Sequence, residues 1–198
     1  MQGPQSKEQM EDSDSVAISL AKAGDSDGFR ILVDRYSRGV FRLAYRMMGN
    51  EFDAEDVVQE TFLRAYKQID HYESRSSFST WLYRIAANYS LDLLRARKRQ
   101  QERQTTATDP DGIDLLDVLP ADVPSQDRMH YSNQMKQHLR KAMAALSDQE
   151  RTAFVLRHFE GLSIEEIGDV LKIGTSATKN SIFRAVRKLR GALEPLMV

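Results

Sequence analysis

Cysteine is absent from all 198 residues, which removes disulfides, thiolate metal sites and cysteine nucleophiles at once. Long apolar runs are absent too: no stretch approaches the roughly 18 consecutive apolar residues that mark a membrane-spanning helix. Met1 to Ser15 is polar and acidic and has no apolar signal-peptide core, so the expectation is a cytoplasmic protein with no membrane insertion. Excess charge of either sign is also missing. With 28 Lys and Arg against 29 Asp and Glu the net charge is −1, so nucleic-acid binding has to come from local clusters. Only four histidines occur (His71, His130, His138, His158), without metal-ligand spacing, and there is no phosphate-cradling glycine loop. No metal, no cofactor and no catalytic residue are therefore expected. Strand-type alternation is not found either, which leaves an all-α chain.

Helical periodicity fills most of what is present. Val16, Leu20 and Ala23 give a short first helix that stops near Gly24. Phe29, Leu32, Val33, Tyr36, Val40, Leu43, Ala44 and Met47 give a longer one ending at Gly49-Asn50. Asp53 is expected to cap the next helix, to about Ile69, and Ser79 or Thr80 the one that runs into Arg95, Arg97, Lys98 and Arg99. Residues 104–127 then hold three of the five prolines and six aspartates with no Lys or Arg, the composition of an acidic flexible linker. Helical patterning resumes near Tyr131, with capping boxes at Ser147–Glu150 and Ser163–Glu166. The expected plan is a disordered tail over 1–14, a first small helical domain over 15–99, the linker over 100–134 and a second small helical domain over 135–196. A hydrophobic content of 41% suffices for both cores.

The strongest local signal lies near the carboxyl end. Ser163 to Leu171 reads as a short acidic helix, Lys172-Ile-Gly-Thr175 as a tight turn and Ser176 to Arg190 as a second helix, with no acidic residue between Lys172 and Arg190. This is the pattern of a helix-turn-helix, which makes DNA the leading partner. At about 100° per residue, Thr178, Ile182, Ala185, Val186, Leu189 and Leu193 face the domain. Asn180, Arg184 and Arg187 lie opposite with Ser176 and Ala177, and Lys179, Ser181 and Lys188 sit on the flanks. Arginine can read guanine and asparagine adenine in the major groove. A solvated basic face is the plainer alternative, and the preceding helix and turn weigh against it.

Two further constellations lie in the first domain. On the helix from Asp53, an apolar stripe of Val58, Phe62, Ala65, Tyr66 and Ile69 leaves Asp56, Gln59, Glu60 and Leu63 on another side, a mixed face suited to a basic protein surface. An ordinary solvated face is the commoner meaning of such a pattern. His71 to Trp81 reads as a polar loop with aromatics, followed by a helix whose core stripe is Trp81, Leu82, Ile85, Tyr89 and Leu93. Arg84, Asn88, Asp92, Arg95 and Arg99 share another face, which would suit a nucleic-acid backbone with a base reader in the middle. A loop aromatic can stack an unpaired base for ~1–3 kcal/mol; Trp81 and Phe78 read first as core, and Tyr72 as the stacking candidate.

These stretches, in this order, resemble the extracytoplasmic-function (ECF) group of bacterial RNA polymerase sigma factors. The resemblance rests on Asp53-Ala-Glu-Asp-Val-Val-Gln-Glu-Thr-Phe-Leu-Arg-Ala-Tyr66, Phe78-Ser-Thr-Trp-Leu-Tyr-Arg-Ile-Ala-Ala-Asn88, Leu162-Ser-Ile-Glu-Glu-Ile-Gly168 and Ile182-Phe-Arg-Ala185, and spans residues 25 to 193. It implies a sigma region 2 in which Asp56, Gln59, Glu60 and Leu63 dock on the clamp helices of the polymerase β′ subunit. It implies that the loop from His71 to Ser79, with Tyr72 and Ser77, captures a base flipped from the melted minus-ten element. Trp81, Arg84, Asn88, Asp92, Arg95 and Arg99 would then line the minus-ten DNA, with Asn88 at a base-reading position. It implies a sigma region 4 that reads the minus-thirty-five element through Ser176, Lys179, Asn180, Ser181, Arg184, Arg187 and Lys188 and contacts the flap of the β subunit. An anti-sigma protein is common in the group. Asp92 departs from the polar amide of several relatives, Gly174-Thr-Ser-Ala-Thr-Lys179 lacks a frequent proline, and Ser181 replaces a frequent arginine. The promoter sequence is therefore not carried over from relatives. The rival readings are a stand-alone helix-turn-helix regulator that binds duplex DNA without polymerase, and a sigma mimic that only titrates an anti-sigma protein. The acidic docking motif and the aromatic loop argue against the first. Asn88 and the basic face argue against the second.

Overall fold

The computed structural model describes residues 14–103, 138–139 and 141–194, and all regular structure among these is helical. Residues 1–13 of the tail expected over 1–14, and most of the expected linker, lie outside the described residues. Asp14 belongs to the first helix, α1 (14–22), and residues 100–103 continue a helix rather than opening a linker. The first module comprises α1, α2 (Ser26–Met48), α3 (Glu51–Gln68), a 3-10 turn (Ile69–His71) and α4 (Phe78–Arg103). The second comprises a helical turn at 141–144 (α5), α6 (Asp148–His158), α7 (Ile164–Leu171) and α8 (Thr175–Leu193).

Helix ends follow local chemistry. Gly49 adopts φ 83°, a left-handed conformation that lets α2 stop and the chain reverse. Asn50, not Asp53, caps α3: its side chain accepts from the Asp53 N–H, and its amide donates to the Asp53 carboxylate. Ser77, not Ser79 or Thr80, caps α4, its hydroxyl accepting from the Thr80 N–H at 3.2 Å. Both expected capping boxes are present, at Ser147–Glu150 and Ser163–Glu166.

The first core joins Leu32, Val40, Leu43 and Met47 of α2, Val57 and Phe62 of α3, and Leu82 and Ala86 of α4. On α1 the buried face is Ala17, Ile18 and Ala21, while Val16 is 61% exposed. The expected stripe is therefore turned. α1 approaches α2 at Gly28, where an added Cβ would lie 2.6 Å from the Leu20 Cβ and 2.7 Å from the Ala17 carbonyl, so only glycine fits there without a shift of the backbone. On α4, Ala86, Ala87, Ser90 and Leu91 are buried beside Leu82, whereas Trp81, Ile85, Tyr89 and Leu93 are half-buried. α4 packs against both α2 and α3, and small residues let the three helices come close. On α3, Val57, Thr61 and Phe62 carry the buried stripe and Tyr66 is 54% exposed, its ring edge-on to Phe29.

Asp53, buried, takes hydrogen bonds from Arg97 of α4 and from Asn50. Burial alone would raise its pKa; the bonds from Arg97 and Asn50 outweigh it and hold the carboxyl below the usual range. A depressed carboxylate contributes stability above the unfolded value of about 4, lost as pH falls through the folded value. Asp53→Asn is therefore expected to lower stability at neutral pH and to flatten its decline below about pH 4. Urea unfolding at stepped pH checks this, and an unchanged acid slope would contradict it.

In the second module α8 lies across α6 and α7. α7 ends on Lys172 at φ 55°, and Gly174 caps α8 with extended backbone, so the left-handed residue of the turn is the lysine. A Cβ at Gly168 would lie 2.9 Å from the Ile173 carbonyl and 3.2 Å from Thr178 Oγ1, which makes the close seating of turn and α8 on α7 depend on that glycine. Gly168→Ala is expected to destabilise the chain by about 1–3 kcal/mol. Denaturant melts check it, and a change below ~0.5 kcal/mol would show that the turn yields easily.

Candidate functional site

Three surfaces carry the candidate residues. The first is the outer side of α3. Asp56, Gln59 and Leu63 are exposed, and half-buried Glu60 accepts from Arg64 Nε at 2.7 Å. Asp56 is held from α4: the Tyr89 hydroxyl donates to its carboxylate at 3.0 Å, and the Arg64 guanidinium sits 4.6 Å over the Tyr89 ring. Burial, then the bond to Asp56, raises the Tyr89 pKa, so the phenol stays a donor. Phe52, four residues before Asp56, is 81% exposed. Sequence reasoning left it out, although its i−4 spacing from Asp56 placed it on this face. Beside Gln59 a groove of about 540 Å³ is lined by Ser37, Arg38, Phe41, Glu55 and Val58.

The second surface joins the loop before α4 to α4 itself. Tyr72 differs from its expected place: it is only 6% exposed, its ring 5.5 Å from Phe78 and 5.2 Å from Trp81, with its hydroxyl donating to the Ser76 carbonyl at 2.7 Å. The aromatic cluster gains more from packing together than from solvent, so Tyr72 shapes the loop from inside. The loop still encloses a space. A cavity of about 410 Å³ is lined by Tyr72, Arg75, Ser77 and Phe78 from the loop side and by Asp14 and Ile18 from α1. Asp14, expected in the tail, is buried there and bonds to Arg35 and to the Tyr36 hydroxyl. Along α4, Asn88 is half-buried and Asp92, Arg95 and Arg99 are exposed, with Arg95 3.4 Å from Asp92. Arg84 departs from that open row. Its Nε is buried with no protein partner, and its Nη2 lies 3.6 Å from Asp169 of α7.

The third surface is α8. Ser176, Lys179, Asn180, Arg184 and Arg187 are exposed, as expected. Ser181 is not: it is 6% exposed, donates to the Ala177 carbonyl at 2.9 Å and accepts from Gln149 of α6 at 2.9 Å. It falls between Thr178 and Ala185 on the packed face. Lys188 is turned toward α6, 2.6 Å from Glu150. Burial alone would raise the Glu150 pKa, but bonds from Lys188 and Ser147 lower it, so this pair fastens α8 to its own domain. No cluster of three or more metal-ligating side chains occurs among the described residues, and no helix there is long and apolar enough to cross a membrane.

The two modules touch. Arg151 of α6 donates to the Met47 carbonyl at the end of α2 at 3.0 Å. Glu160 lies 3.3 Å from Arg46 and meets the Tyr83 hydroxyl, and the Arg46 guanidinium stacks 4.0 Å over Phe159. Burial pushes the Glu160 carboxyl up, against the pull of Arg46 and Arg42, and pushes Tyr83 up to about 12.

A helix-turn-helix with an exposed basic face, joined to a helical bundle that carries an aromatic-lined cavity and an exposed acidic helix face, defines the class of helical DNA-recognition proteins. Comparison with known proteins agrees. Sigma-70 region 2 matches residues 32–100 and Sigma-70, region 4 matches residues 136–189. The ECF RNA polymerase sigma factor SigW of Bacillus subtilis is 35% identical over 179 residues, 90% of this chain and 96% of that protein. The RNA polymerase sigma-H factor of Pseudomonas aeruginosa is 32% identical over 188 residues, covering 94% and 97%. Among solved structures, the sigma factor RpoE in complex with the anti-sigma factor NepR from Bartonella quintana superposes with a TM-score of 0.65 at 24% identity, covering 84% of this chain and 96% of that one. CnrH in complex with the cytosolic domain of CnrY gives a TM-score of 0.62 at 25% identity, covering 92% and 98%. The chain belongs to the ECF RNA polymerase sigma factors. It is a sigma factor directing transcription, and the reading as a stand-alone regulator is not favoured.

Proposed function

We propose that the chain has no catalysis of its own and gives core RNA polymerase, in the cytoplasm, its promoter specificity through the three surfaces above. Asp56, Gln59, Glu60 and Leu63, extended by Phe52, dock on the β′ clamp helices. Asn88, Asp92, Arg95 and Arg99 line the minus-ten DNA, and the cavity between α1 and the loop holds one unpaired base, with Ser77 in its lining, Tyr72 as its packed wall and Trp81 packed against Tyr72. Ser176, Lys179, Asn180, Arg184 and Arg187 enter the major groove of the minus-thirty-five element, while Ser181 and Lys188 set the angle of α8. Contact of the second module with the β flap and control by an anti-sigma protein complete the reading. The structurally similar RpoE was solved with such a partner.

The observation that carries this reading is the hydrogen bond from Tyr89 to Asp56, which, on top of the packing of α3 against α4, ties the acidic face to the helix that bears Asn88. Capture of polymerase then fixes where α4 meets the strand. Two promoter elements about two helical turns apart lie ~70 Å from each other. Modules in contact do not span that distance, so promoter engagement parts Arg84 from Asp169 and Arg46 from Glu160. The segment between Arg103 and His138 reaches on the order of 100 Å when extended, enough for the separation. Extruding one base costs a few kcal/mol, which the cavity and Asn88 offset. The test is a gel shift on promoter duplex with and without core polymerase. The expected result is a shift only with polymerase; strong binding by the free chain would contradict the proposal.

A further inference from the structure

The loop before α4 carries backbone strain. Ser74, a non-glycine residue, stands at φ 56°, a left-handed conformation that L side chains avoid. Such a conformation persists only where the surroundings hold it. Part of the hold is internal: the Tyr72 hydroxyl donates to the Ser76 carbonyl, and Ser77 Oγ lies 2.9 Å from Thr80 Oγ1. Another part comes from α1. Lys22 Nζ donates to the Tyr72 carbonyl at 2.6 Å and lies 6.0 Å from the centre of the Tyr72 ring. A charged donor makes such a bond stronger than one between neutral groups. Lys22 follows Asp14 and Ile18 at steps of four residues, so the three share one face of α1. Asp14 and Ile18 line the cavity, and Asp14 is fastened to α2 through Arg35 and Tyr36. Lys22 stands outside the lining, one turn further on, and grips the loop. α1 therefore bounds the cavity as a strut, tied to the bundle at one end and to the loop at the other.

Resting on the reading of that cavity as the seat of one unpaired base, we infer that Lys22 is a positioning residue for strand opening: from α1 it holds the loop in the shape that receives the base, without touching the base. A loop ordered in advance spares the cost of ordering it when the base arrives. Without the ammonium, the Tyr72 carbonyl loses its tie to α1, Ser74 relaxes toward ordinary backbone, and the gap between α1 and the loop loses its fixed width. The competing role for an exposed lysine is a direct bond to a DNA phosphate. The bond to Tyr72 turns the ammonium toward the loop and disfavours that role.

The experiment uses holoenzyme assembled from core polymerase and the full chain, on a promoter selected from a random library. Opening is read as the rate at which heparin-resistant complexes form. On the intact promoter Lys22→Met should open about tenfold more slowly than the wild type, the worth of one hydrogen bond from a charged donor, with polymerase capture unchanged. Lys22→Arg, which keeps a charged donor of similar reach, should recover most of the rate. Each nucleotide of the minus-ten strand is then replaced singly by an abasic one. The wild type should slow sharply at one position, where the base that fills the cavity is missing. At that position Lys22→Met should be no slower than the wild type, because there is no base left to receive; at every other position the tenfold ratio should persist. A lysine that served only the fold, or bonded a phosphate, would keep its tenfold ratio on the abasic promoter too, and that result would overturn the inference. So would normal opening by Lys22→Met on the intact promoter. Failure of the cavity reading itself looks different: the wild type would be indifferent to an abasic nucleotide at every position, and the inference would fall with that reading.

Discussion

Asp56→Arg is expected to weaken capture of core polymerase about a hundredfold while the purified chain stays folded. The carboxylate is exposed on α3 beside Gln59 and Leu63, and its partner surface is expected to be basic. Reversing the charge removes an attraction and adds a like-charge contact, and such juxtapositions cost several kcal/mol at an interface. A hundredfold loss corresponds to about 2.7 kcal/mol. The substitution also removes the acceptor of the Tyr89 hydroxyl, so two controls separate the effects. Asp56→Asn keeps an acceptor and loses only the charge, and should weaken capture less. Tyr89→Phe loosens the α3–α4 tie and leaves the charge, and should affect opening more than capture. Competition against a labelled sigma factor for a fixed amount of core enzyme gives the ratio directly. Normal capture by Asp56→Arg would remove α3 from the interface.

Asn88→Ala should have the opposite profile, with capture unchanged and promoter opening down about tenfold, equivalent to ~1.4 kcal/mol. Asn88 is half-buried on α4, one residue from the Tyr89 that holds Asp56. Its amide can bond to a base edge only when α4 lies along the strand, which happens after docking. Removing it therefore takes nothing from the protein–protein contact and one base contact from the open state. Permanganate reactivity of unpaired thymines measures opening, and the same competition experiment measures capture. Equal loss in both would show that Asn88 supports the fold of α4 rather than the DNA.

Much of this arrangement is legible in the sequence where the determinant is local. The capping boxes at Ser147–Glu150 and Ser163–Glu166, the stop at Gly49 and the turn after Leu171 depend on neighbours three or four residues apart, and all appear where the spacing puts them. The exposed row of Ser176, Lys179, Asn180, Arg184 and Arg187 was legible for the same reason: one helix with one buried face has only one other side. Periodicity is weaker where a helix is packed on two sides. On α4 the buried residues include Ala86, Ala87 and Ser90, which carry little hydrophobic signal but allow close approach. Flank positions are ambiguous for a related reason. Ser181 and Lys188 sit at the edge of the polar arc, and Gln149 and Glu150 of α6, more than thirty residues away, decide which way each turns. Distance in sequence also hid Asp14, whose partners are Arg35 and Tyr36, and the pairing of Asp53 with Arg97. Tyr72 was misplaced because a loop aromatic beside Phe78 and Trp81 gains more by joining them than by facing water.

The contacts between modules were likewise invisible in the sequence. Arg46 and Glu160, or Arg84 and Asp169, carry no pattern that links them. Yet they bear on function, because Arg84 is turned toward the second module in this arrangement and toward the minus-ten strand in the proposed one.

Run-off transcription from a promoter library with purified core polymerase, with and without this chain, tests the central claim most directly. The account predicts that the polymerase retains the chain and begins transcripts at a set of positions absent without it, each preceded by two shared sequence elements about two helical turns apart. A polymerase that neither holds the chain nor changes its start positions would contradict it.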